Sequence, residues 1–135
     1  GQGHSAIEFL LFLVISLPIF LIQQEIFATQ RVTADTLKGG IAIYVLLGLA
    51  WSMLYTILFD FDPKAFNGIT PSQLQSDFLH FSFVTLTTVG YGDIHPLVAS
   101  ARVATDLEAI AGVMYPAILI SRLVSKYTTN SEESL

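Results

Sequence analysis

Between Thr87 and Ile94 the chain reads TTVGYGDI, two glycines around a tyrosine followed at once by an aspartate. The residue types here offer an unusual backbone and one carboxylate rather than a nucleophile with its base. In a soluble domain such a run is ordinary turn chemistry, so its surroundings must decide what it does. Elsewhere the titratable residues are scattered. His4 and His95 stand alone, no spacing of His, Asp and Glu suggests a metal site, and cysteine is absent, which excludes disulfides and thiolate ligands. Glu108 is an acid inside a long apolar stretch, a placement that calls for protein or water beside it rather than lipid.

The elements that position these residues follow from composition. Of 135 residues, 53% are hydrophobic and 13% charged, which a small soluble domain could carry only by exposing large apolar patches. The sequence is that of a membrane protein. A net charge of −5 and no basic cluster argue against nucleic acid as a partner.

Three apolar stretches are visible. The first, Ala6 to Ile22, contains Glu8 and Pro18 and is near the lower limit for a span. It is expected to be an extra N-terminal hydrophobic helix, since neither a basic segment before it nor a small-residue cleavage site after it marks a signal peptide. The opening GQGHS reads as a remnant, with helices expected upstream. The second stretch, Ile41 to Phe59, has neither charge nor proline, and Thr33 to Thr36 can cap its start. The third, Leu107 to Val124, holds Glu108, Gly112, Pro116, Ser121 and Arg122, and its helix is expected to begin near Ala99.

Between the second and third lie a polar segment, FDPKAFNGITPSQLQS, and a half-length apolar run, DFLHFSFVTLT. That run, Asp77 to Thr87, is long enough to enter a bilayer and too short to cross it, with Ser76 as a plausible N-cap. A chain that turns back at membrane depth must bury its backbone in protein or line water. The opening stretch lies at that turn.

Thr88 to Asp93 then stand as threonine, valine, glycine, tyrosine, glycine, aspartate at the end of a half-helix between two spanning helices. This arrangement resembles the tetrameric potassium channels, and the resemblance covers Ile41 to Lys126 as outer helix, turret, pore helix, filter and inner helix. It implies an all-α membrane protein whose residues 1–40 are a hydrophobic helix and cytoplasmic linker, 41–127 a pore domain and 128–135 a disordered tail. It also implies a homotetramer in a lipid bilayer, in a bacterial plasma membrane, passing potassium with no cofactor and no catalysis. Backbone carbonyls of Thr88, Val89, Gly90 and Tyr91, with the Thr88 hydroxyl, would replace the ion's water, while Gly90 and Gly92 supply backbone angles that side chains disfavour. Val89 and Tyr91 would point away and hold the ring diameter. The pore helix would turn its partly negative C-terminal end to the central cavity.

The family places both ends of the spanning pair in the cytoplasm. Four of the six basic residues, Arg31, Lys38, Arg122 and Lys126, fall on that side, with Lys64 and Arg102 outside. Arg31 and Lys38 are too few for a voltage-sensing helix and read as interfacial anchors. Gly112 matches the family's hinge glycine and is equally a close-packing point. Pro116, one turn on, predicts a local bend. Val113, Pro116, Ile120 and Val124 share one helix face, assigned to the cavity. Glu108 is expected either to tie the inner helix to the pore helix through Ser82 or Thr85, or to sit protonated and hydrogen-bonded. Asp93 needs a donor behind it, and the position where the family often carries tryptophan is here His80. Two other classes compete: a non-selective cation pore, which should lose Tyr91 or Asp93, and a non-conducting membrane assembly subunit. Potassium transporters built from repeats of this unit tend to have degraded filters and four linked units.

Overall fold

A computed structural model describes Gln24 and residues 34–132; the stretch Ala6 to Ile22, Arg31 and the capping Thr33 lie outside the described residues. Three helices carry the fold: α1, Ala34–Phe61; α2, Leu74–Leu86; and α3, Ala99–Glu132. Among the described residues two segments are long and apolar enough to cross a membrane, Leu37–Phe61 and Ala99–Ser125. At about 1.5 Å per residue the 13 residues of α2 reach only two thirds of the way across a hydrocarbon core of about 30 Å.

The chain itself sets the boundaries. α1 stops where Pro63 forbids a further helical turn, and the Asp62 carboxylate accepts the Lys64 N–H at 3.0 Å to start the turret. α2 begins three residues before the expected Asp77. A 3₁₀ turn at Pro71–Gln73 leads into it, Gln73 is the N-cap residue without a side-chain cap, and Ser76 is not a cap. Asp77 instead sits in the first turn and accepts the Thr70 N–H at 2.7 Å, where a negative charge suits the helix N-terminus. α3 starts at Ala99 as expected and continues to Glu132, into the segment expected to be a disordered tail; after Pro116 the sequence contains neither glycine nor proline to end it.

Two short strands, β1 (Phe66–Asn67) and β2 (His95–Pro96), pair antiparallel and join the turret to the segment behind the glycines. Leu97 N–H extends the clamp to the Ala65 carbonyl at 2.7 Å. The core lies where α1, α2 and the turret meet. Tyr55, Phe66, Phe78 and Phe81 are all buried there, and their rings pack with centroids 4.9 Å (Tyr55–Phe81) and 5.1 Å (Phe66–Phe78) apart in tilted and edge-to-face pairs. Small residues let the helices come close: Ala101 and Ala104 are fully buried, and a Cβ on Gly48 would stand 2.7 Å from the Phe83 ring.

Candidate functional site

The segment after α2 takes a backbone that alternates in hand. Thr88, Gly90 and Gly92 have φ of 61°, 61° and 80°, while Val89 and Tyr91 between them do not. Alternation of right- and left-handed residues turns successive N–H groups to one side of the chain and so successive carbonyls to the other. Glycine meets this geometry without penalty at 90 and 92. Thr88 is β-branched and adopts it against its preference, a local cost of about 1–3 kcal/mol of the kind stored at functional sites. The segment is anchored at its base by Thr88 N–H to the Thr85 carbonyl at 2.9 Å and Gly90 N–H to the Val84 carbonyl at 3.2 Å. Within the chain both its faces are open, with Val89 54% and Tyr91 72% exposed.

Behind it stands His80. Its Nε2 lies 3.0 Å from Asp93 Oδ2, and its ring stacks on Tyr91 with centroids 6.1 Å apart and planes 5° from parallel. The Asp93 carboxyl sits below its ordinary range: desolvation, which raises it, is outweighed by hydrogen bonds from the Ile94 N–H and from His80 and by the attraction of the imidazole. His95, read from sequence as a plain loop residue, is also at this end. Its Nδ1 is 3.3 Å from the Gly92 carbonyl and its Nε2 3.5 Å from Asn67 Nδ2, so an Nδ1–H tautomer donates to the first and accepts from the second.

Glu108 is fully buried, and Ser82 is its pore-helix neighbour at 2.5 Å; Thr85 is not a partner. A second partner, which sequence reasoning missed, is the Tyr55 hydroxyl of α1, which donates to the other carboxyl oxygen. Gly112 is a close-packing point, since a Cβ there would collide with the carbonyl of Leu86 at the end of α2. Pro116 has no N–H for the Gly112 carbonyl one turn back, and the Tyr44 hydroxyl of α1 reaches that orphaned oxygen at 3.4 Å and the Leu86 carbonyl at 3.1 Å. α3 runs through Pro116 as one helix. Of the face assigned to the cavity, Val113, Ile120 and Val124 are exposed and Pro116 is partly covered. Among the described residues no group of three metal-ligating side chains exists.

The site is therefore a stretch of backbone that alternates in the sign of φ at the C-terminal end of a half-helix.

Known proteins are similar to this chain in sequence. A family model described as ion channel matches residues 36–129. Protein LctB of Geobacillus stearothermophilus is 35% identical over 104 residues, covering 72% of this chain and 76% of that protein. Two-pore potassium channel 4 of Arabidopsis thaliana is 30% identical over 108 residues, 79% of this chain and 38% of that protein. Human potassium voltage-gated channel subfamily A member 6 is 39% identical over 51 residues, 38% of this chain and 10% of that protein. No solved structure matches the chain. With two membrane-crossing helices flanking a half-helix and its alternating backbone, and with the family match running from the start of α1 almost to the end of α3, the chain belongs to the ion channel family.

Proposed function

We propose that this chain is one subunit of a homotetrameric, potassium-selective channel that passes the ion down its gradient through a central pore. The alternation at Thr88, Gly90 and Gly92 is the observation that carries this reading. It favours carbonyls 88 to 91 on one side of the strand, and four such strands around an axis would replace the water of a dehydrated cation ring by ring. Potassium in particular is favoured by the intact Thr88 to Asp93 sequence and by the potassium-channel names of the plant and human relatives. Four copies are favoured because one chain leaves the strand open on both faces, and polar backbone at membrane depth needs protein or water around it. Asp93 and His80 act as filter support, Glu108 as a tie between helices, and Gly112, Val113, Pro116, Ile120 and Val124 line or bend the inner pore. Two bacterial relatives favour a bacterial plasma membrane as the location. Purified protein in liposomes tests the whole reading. Potassium should flow and sodium should not, and cross-linking should stop at four subunits. Equal fluxes of the two ions would leave a non-selective pore, and no flux from a cross-linked tetramer would leave an assembly subunit.

A further inference from the structure

Ser82 and Glu108 pose a problem of proton count. Ser82 Oγ lies 2.7 Å from the Gly48 carbonyl and 2.5 Å from Glu108 Oε1, both distances at which a proton must lie between the oxygens. A serine hydroxyl has one proton, and a carbonyl can only accept. If Ser82 serves Gly48, the proton shared with Glu108 must come from Glu108. The tyrosine hydroxyl on the other side, Tyr55, spends its proton on Oε2, so Oε1 is the oxygen that carries it. A carboxylate here would leave two oxygens facing each other with no proton between them in a site where Glu108 and Ser82 are both fully buried.

We propose that Glu108 is a protonated positioning residue, closing a directed chain in which Tyr55 donates to Glu108, Glu108 to Ser82, and Ser82 to the Gly48 carbonyl. The chain leaves α1 at Tyr55 and returns to it at Gly48 two turns away, passing through α3 and α2. One proton thus fixes the pore helix against both spanning helices. The groups that face Glu108 leave it as the acid. From α1 these are Tyr55 and, farther off, Tyr44; from α2 only Ser82, because Asp77 and His80 are engaged with Thr70 and Asp93. On α3, Asp106 is exposed and acts on Tyr55. Among the described residues no cation pairs with Glu108. Its contribution is present wherever the acid keeps its proton and is lost as rising pH removes it.

Infrared difference spectra of the purified full chain at neutral pH test the assignment. Wild type minus Glu108→Gln should show the carbonyl stretch of a protonated carboxyl, and carboxylate bands in its place would overturn the proposal. Ser82→Ala gives a second reading that does not need the glutamine variant to fold: losing its acceptor, the acid band should move to higher frequency, and an unmoved band would break the chain. A third arm rests on the potassium-channel reading. Alkaline solution should speed the decay of potassium current about tenfold in wild type, the loss of one buried hydrogen bond per subunit, and leave decay in Glu108→Gln insensitive to pH. Equal alkaline sensitivity in both would remove the positioning role. Absence of any potassium current would sink the channel reading while the two spectral results still decided the proton.

Discussion

Three residues of the segment after α2 show how far a side chain's type reveals its role. Gly90 and Gly92 announce left-handed backbone because glycine alone meets it freely. Thr88 does the same and announces nothing, since a β-branched residue is the last type from which a positive φ would be inferred. A Cβ at Gly90 or Gly92 meets no atom of its own chain, so the penalty for alanine there is conformational, about 1–2 kcal/mol per subunit. Gly92→Ala is therefore expected to reduce potassium preference, read as a shift in reversal potential between potassium and sodium, while the assembly still forms. Asp93 titrates below the ordinary carboxylate range, so its tie to His80 is fully present above about pH 4 and is lost as pH falls through its lowered value. His80→Ala should speed current loss during sustained opening. External acidification strong enough to protonate Asp93 should speed that loss in wild type and leave it unchanged in the variant.

Helices and their crossings were legible in part. Long apolar runs and the short DFLHFSFVTLT segment identify two spanning helices and one half-helix, because length against bilayer thickness is a strict test. The start of α2 was not, because Ser76 is a good cap by type while Pro71 had already begun the turn. Nor could sequence pair Tyr55 with Glu108, 53 positions apart, or Tyr44 with the Gly112 carbonyl, 68 apart. The one Tyr44 proton, shared with the nearer Leu86 carbonyl, offers the Gly112 carbonyl a partial replacement for the donor that Pro116 lacks. In Pro116→Ala a regained N–H satisfies Gly112, so Tyr44→Phe should cost less there than in wild type, with a coupling of about 0.5–3 kcal/mol in thermal unfolding. Gly112→Ala, which drives a methyl into the Leu86 carbonyl, should lower stability by about 1–3 kcal/mol in the same assay.

On the scale of the molecule, the chain leaves apolar surface open. Val113, Ile120 and Val124 form an exposed stripe on α3, and residues 87–93 are exposed as well. If that stripe faces a water-filled cavity, cysteines at Ile120 and Val124 should react with small probes from the cytoplasmic side and block current. Reaction at Leu119 and Leu123 instead would put the cavity on another face. The turret, by contrast, is held by contacts within the chain itself. Gly68, at φ 85°, lies so close to the Asp93 carbonyl that a Cβ has no room, and β1, β2 and the Ala65–Leu97 bond hold the two segments together. The turret is thus a handle fastened to the far end of the strand: a molecule too large to enter, gripping Lys64 and Asn67 from outside, would pull on the ion path through the main chain without touching an ion.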